Sequence, residues 1–87
     1  MWYYRWRRLR MKRTIAIHTS WIKLDSLLKL ADVAESGGMA KMFIRDGMIK
    51  VNGAIVTQRG RKISPGDVVE IDAEPHVILQ ITTKTEL

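Results

Sequence analysis

Cysteine is absent from all 87 residues, so the chain has no disulfide framework and no thiolate metal site. Histidine is scarce: His18 and His76 stand far apart with no carboxylate pattern between them, which argues against zinc and leaves no cofactor implied. No run of about 18 apolar residues is present to span a bilayer. No Ser/His/Asp set, carboxylate pair suited to a cleft or Walker loop can be assembled, so neither catalysis nor a small-molecule substrate is expected. A cytoplasmic location is expected because nothing directs the chain elsewhere. The length allows one domain, with a compact core and short loops.

Acidic residues are missing from the first 24 positions, where Arg5, Arg7, Arg8, Arg10, Lys12 and Arg13 are concentrated. Those six account for the whole formal net charge of +6, because residues 14–87 hold nine basic and nine acidic side chains. Overall basicity therefore says little about nucleic acid, and any argument must rest on where the charge lies. It is segregated: Arg59, Arg61 and Lys62 form one group, while Asp67, Glu70, Asp72 and Glu74 follow just downstream.

Residues 1–13 form a basic, aromatic leader that interleaves Trp2, Tyr3, Tyr4 and Trp6 with arginines. Its charges precede no uninterrupted apolar run and no small-residue cleavage site follows, so it is not a secretory signal. It has no periodic pattern, and a disordered appendage upstream of a start at Met11 is expected. An ordered leader would instead serve as an arm for RNA or another anionic surface, since aromatics stack on bases and arginines neutralise phosphates.

The remaining residues, 14–87, are expected to form a single domain. Thr14–His18 is β-branched enough to be a strand. Leu24, Leu27, Leu28 and Ala31 fall at i, i+3, i+4 and i+7, an apolar helical stripe with Asp25 as its N-cap. After a turn over 32–35, Ser36 is the expected N-cap of a second helix that buries Ala40, Phe43 and Ile44, with Met39 beside them. Lys41 and Arg45 share its solvated side, and Gly47 ends it in a left-handed conformation. The period then becomes two. Ile49, Val51 and Ile55 are expected to face the core, and Asn52-Gly53 is a strong hairpin signal. A basic loop over 58–62 leads to a strand containing Val68, Val69 and Ile71, and Val77, Ile78, Leu79 and Ile81 supply the last strand. The predicted class is α+β, with two packed helices against a small, bent, mainly antiparallel sheet.

Ser36-Gly37-Gly38 admits two readings: a cap whose glycines permit close helix packing, or a phosphate cradle made by orphan helix amides. Lys41, Arg45 and Lys50 would singly be ordinary solvated residues. Grouped with Arg59, Arg61 and Lys62 they would make one basic patch. Asn52 is expected to serve the turn first and make a contact second.

The ordered string Leu24-Asp25, Leu28, Ser36, Ala40-Lys41, Ile44, Gly47 to Gly53 and Gly66 to Ile71 resembles the RNA-binding αL motif of the small-subunit ribosomal protein four type. Leu28 to Val33, Ser36 to Lys41 and Arg59 to Lys62 are similar to its small stand-alone bacterial members, the YaaA and YbcJ type. The resemblance implies that residues 14–87 are one RNA-binding domain for structured RNA, ribosomal RNA in particular, with ribosomal proteins as neighbours and a role in ribosome association or maturation. It also implies that the second helix and the hairpin lie side by side, which would make Lys41, Arg45, Lys50, Arg59, Arg61 and Lys62 one RNA-facing patch. Many members carry Arg after the serine that opens the second helix. Here that position is Gly37, and the amides of Gly37, Gly38 and Met39 are expected to stand in its place.

Two other classes compete. A protein-docking module would use the acidic strand 67–72 on a ribosomal or replication partner. A β-grasp sulfur carrier shares strings such as Val51-Asn52-Gly53, but it acts through a C-terminal diglycine, and Lys84-Thr85-Glu86-Leu87 provides none.

Overall fold

The expected leucine stripe becomes a short helix whose four predicted core positions, Leu24, Leu27, Leu28 and Ala31, are fully buried. The computed structural model describes residues 10–84. Along them run β1 (Arg10–Ile17), β2 (Ile22–Lys23), α1 (Leu24–Leu30), α2 (Gly37–Arg45), β3 (Ile49–Val51), β4 (Ala54–Ile55), β5 (Lys62–Ile63), β6 (Val68–Ile71) and β7 (His76–Thr83). Five strands form a mixed sheet in the order β1-β7-β6-β3-β4, and β2 pairs with β5 in a second, two-stranded sheet. Only the β1–β7 pairing in the larger sheet is parallel. Leucines of α1, Ala40 and Ile44 of α2, and alternate residues of β3, β6 and β7 make the buried core. The α+β class thus holds, with a second small sheet that the hydrophobic pattern did not reveal.

Both helices end alike. After α2, the amide of Gly47 donates to Ile44 and that of Met48 to Phe43, the paired bonds of a Schellman motif, with Gly47 at φ 76°. After α1, Asp32 and Val33 donate to Lys29 and Leu28 in the same pattern, although Asp32 occupies the left-handed position at φ 58°. No glycine advertises that second stop. At the start of α2, Ser36 Oγ accepts from the Met39 amide at 3.2 Å, as its N-cap role requires.

Three expectations are corrected. Asp25 is not the N-cap of α1; it lies inside the first turn and its carboxylate accepts from the Ser26 amide at 2.7 Å. The first helical amides are satisfied from elsewhere: Leu24 donates to the Arg61 carbonyl at 2.9 Å and Asp25 to the Arg59 carbonyl at 3.2 Å.

Ile55 does not face the core and is 60% exposed. The two-residue turn pairs Lys50 with Ile55, so Ile55 shares the outer face of Lys50 while Ile49 and Val51 point inward. Val56 takes the buried position instead.

The first strand begins at Arg10, not Thr14, so the leader boundary at residue 13 cuts through β1. Arg10, Met11, Lys12 and Arg13 pair with His76, Val77, Ile78 and Leu79. The Arg13 guanidinium donates to the Ala31 carbonyl, placing a cation at the C-terminal end of α1, where the helix dipole favours one. The rest of the leader, residues 1–9, lies outside the described residues. Among the described residues, no helix is long and apolar enough to cross a membrane.

Candidate nucleic-acid interface

The ten residues expected to meet RNA fall into four settings. Ser36, Gly37 and Gly38 open α2, and Lys41 and Arg45 are exposed further along it. A Cβ added at Gly37 would meet nothing within 4 Å, and one at Gly38 only Ser36 Oγ at 3.9 Å. Neither glycine has positive φ. Close helix packing therefore does not explain the pair. Ser36 satisfies the Met39 amide, so of the three amides expected to meet phosphate only those of Gly37 and Gly38 stay orphaned in the first turn. Arg45 Nε lies 3.7 Å from Asp46, a weak, exposed pair.

Lys50 is in a different place. Between inward-facing Ile49 and Val51 it projects to the outer side of the sheet, in register with Glu70 on one neighbour and Ile55 on the other. The helices contribute to the core on the inner side, so the predicted grouping of Lys50 with α2 is not what the fold produces.

Asn52 is occupied by the fold. Its backbone sits at φ 51°, followed by Gly53 at φ 88°, the mirror-image turn that an Asn-Gly pair favours. Its side chain donates to Asp67 Oδ1 at 3.0 Å and accepts from the Val68 amide at 2.9 Å. Asp67 also accepts from the Ser64 amide at 2.8 Å. This network locks the hairpin to the turn before β6, so Asn52 serves the turn, as expected, with one of its two side-chain N–H groups engaged by Asp67.

Arg59, Arg61 and Lys62 are all exposed. The carbonyls of Arg59 and Arg61 are tied to the start of α1, while Lys62 belongs to β5, not to a loop. Its partner strand was absent from the sequence reading. In the β2–β5 ribbon, Ile22 pairs with Ile63 and Lys23 with Lys62. Ile63 is fully buried and Ile22 packs against the core, so the two lysines point outward together. Two like charges directly opposite in a ladder are destabilising. Trp21 shares that outward side, and Lys62 Nζ lies 4.7 Å from its ring centroid, a cation–π contact. Lys23 and Trp21 were therefore missed; the signal was Trp21-Ile22-Lys23 itself, an alternation too short to be recognised without its partner.

The acidic segment behaves differently. His76 Nε2 is 3.1 Å from Glu70 Oε2, and His76 Nδ1 is 3.7 Å from Asp72 Oδ1. Asp67 is bound within the Asn52 network. Part of the segment's polar capacity is thus used inside the domain, although the Asp72 side chain stays 71% exposed.

Several known proteins are similar to this chain. A relative named "Probable ribosome maturation protein RlbA" from Bacillus subtilis (strain 168) is 50% identical over 62 residues, covering 71% of this chain and 87% of that protein. "Putative RNA-binding protein YbcJ" from Escherichia coli (strain K12) is 44% identical over 48 residues, covering 55% of this chain and 69% of the relative. In structure, the chain is similar to the 30S ribosomal protein S4e of Thermoplasma acidophilum, with a TM-score of 0.50 and 21% identity, over 78% of this chain and 40% of that one. That likeness concerns the fold. The sequence pattern of a family described as "S4 domain" matches residues 15–79. From the end of β1 through the core of β7, the matched span takes in both helices and the β2–β5 corner, and the chain belongs to the S4 domain family.

Proposed function

We propose that this protein binds structured RNA, with ribosomal RNA as the target, and acts in ribosome association or maturation without catalysing a reaction. Cytoplasmic action goes with that reading. The observation that carries it is the basic corner: Lys23 faces Lys62, Arg59 and Arg61 flank the same helix start, and all four are exposed. Among the described residues, the side chains of Lys23, Arg59 and Arg61 have no ion-pair partner. A fold that holds cations together without neutralising them has an anion as its natural ligand. The orphan amides of Gly37 and Gly38 add donors for a phosphate at α2. Family membership and the printed names of the two relatives support RNA as that anion.

The test is a mobility shift with a folded ribosomal RNA fragment across a salt series. With four to six phosphates engaged, log affinity should fall against log salt with a slope of roughly −3 to −5. A flat salt dependence would exclude the corner as a phosphate-binding surface. Pull-down after nuclease treatment supplies the counter-test: a protein partner that survives nuclease and is lost on Glu70→Lys would establish the docking module instead.

A further inference from the structure

We infer that Trp21 is a stacking platform for one unpaired base, so that the RNA recognised at the basic corner carries a bulged or overhanging nucleotide beside its paired stem. The inference rests on the RNA-binding reading above and gives it a substrate class. Three observations lead to it.

Trp21 keeps 40% of its surface exposed, although a large aromatic side chain gains by burial and the core lies one residue away at Ile22. Trp21 immediately precedes β2: Ile22 turns inward against Ile63, Lys23 turns outward opposite Lys62, and the Trp21 ring meets Lys62 on that outward side. Thr19 Oγ1 donates to the Trp21 carbonyl at 2.7 Å, which holds the backbone that presents the ring.

The charges around the ring suit a nucleotide. Lys62 lies against the indole, directly across the ribbon from Lys23, and the carbonyls of Arg59 and Arg61 tether the neighbouring loop to α1. Within residues 18–30 and 57–63 the only acid is Asp25, which is half-buried and accepts from the Ser26 amide. An exposed aromatic side chain with a cation over one ring face matches the two parts of a nucleotide, a π-surface and a phosphate, and base stacking on an indole tolerates any base identity. A continuous duplex offers phosphates but no free base face, which is why the ligand must include an unpaired position.

The experiment compares two RNA hairpins that share one compact tetraloop with internally stacked bases and have equal stem length, one with a fully paired stem and one with a single bulged nucleotide in it, binding to the full chain. Trp21→Ala is expected to weaken the bulged hairpin by about tenfold and leave the paired one unchanged, whereas Trp21→Phe should retain most of the preference. In a Trp2→Phe/Trp6→Phe background Trp21 is the only tryptophan, and its fluorescence should be quenched by the bulged hairpin and much less by the paired one. Equal losses on both hairpins, or no loss on either, overturn the stacking assignment. Reversal of Arg59, Arg61 and Lys62 run in parallel separates the two claims. If that reversal weakens both hairpins while Trp21→Ala shows no selectivity, RNA binding stands and the platform does not. If the reversal has no effect, the RNA reading itself has failed.

Discussion

The acidic and basic regions of this domain carry similar numbers of charges but use them in opposite ways. Around β6 and the start of β7, the charges find partners within the fold: Glu70 and Asp72 meet His76, Asp67 meets Asn52 and Ser64, and Lys50 stands in register with Glu70. At the β2–β5 ribbon, Lys23 is set against Lys62, and the loop bearing Arg59 and Arg61 contributes carbonyls to the fold but not its guanidinium groups. The same division separates individual arginines. Arg13 closes the end of α1, whereas Arg59 and Arg61 lie exposed. Charge that the fold consumes stabilises the domain; charge that it leaves over is available to a ligand. A charge count cannot distinguish them.

The largest test of this division removes consumed charge. Deleting residues 1–13 eliminates four of the eight β1–β7 register pairs and the Arg13 bond to Ala31, and should lower stability by about 3 kcal/mol, a melting-temperature drop on the order of 15 °C. Deleting only residues 1–9 leaves β1 whole, and calorimetry should show little change. Next comes the charge left over. Reversing Arg59, Arg61 and Lys62 to Glu should weaken RNA binding by at least about 100-fold, equivalent to about 2.7 kcal/mol, while altering stability by less than about 0.5 kcal/mol per site. A large loss of melting temperature would mean that these side chains are consumed after all.

Asn52→Ala should behave as a fold mutation. It removes two side-chain hydrogen bonds and leaves alanine in the left-handed region, for a loss of about 2 kcal/mol in chemical denaturation with RNA affinity preserved in the folded fraction. The glycines at α2 should do the reverse. Gly37→Ala and Gly38→Ala meet open space at ordinary backbone angles, so each should stabilise by about 0.4–1 kcal/mol; a simultaneous fall in RNA affinity would show that ligand backbone approaches the α2 terminus closely. The smallest effect belongs to Glu70→Lys. Its partner His76 is partly exposed, so the change should alter stability by about 0.5 kcal/mol and leave RNA affinity equal or slightly raised.

Much of this fold could be read from local pattern because short-range geometry enforces it. The i, i+3, i+4, i+7 leucines, the Ser36 cap, the Gly47 stop and the Asn52-Gly53 turn all depend on residues within one helical turn or one hairpin. The readings that failed involved partners distant along the chain. Arg10–Arg13 looks like part of a basic tail until β7, at the far end of the domain, supplies the pairing. Asp25 looks like a cap until two loop carbonyls from Arg59 and Arg61 satisfy the helix start. Ile55 was placed inside by carrying the strand alternation across a turn that resets it. At the candidate site, the basic loop was legible as a cluster, but Lys23 and Trp21 were invisible because their significance lies in what faces them.

The sequence by itself determined the two helices, the hairpin, the apolar core and the presence of a basic cluster, because propensity, capping and side-chain periodicity act over a few residues. Only the tertiary structure decided which polar groups remain for a ligand. It assigned Arg13 to the end of α1, Asn52 to Asp67 and Val68, and Lys50 to the outer sheet beside Glu70, and it placed Lys62 against Lys23 and Trp21. Hydrogen bonds and ion pairs act over a few ångströms in space, and the chain must fold before residues distant in sequence come within that range.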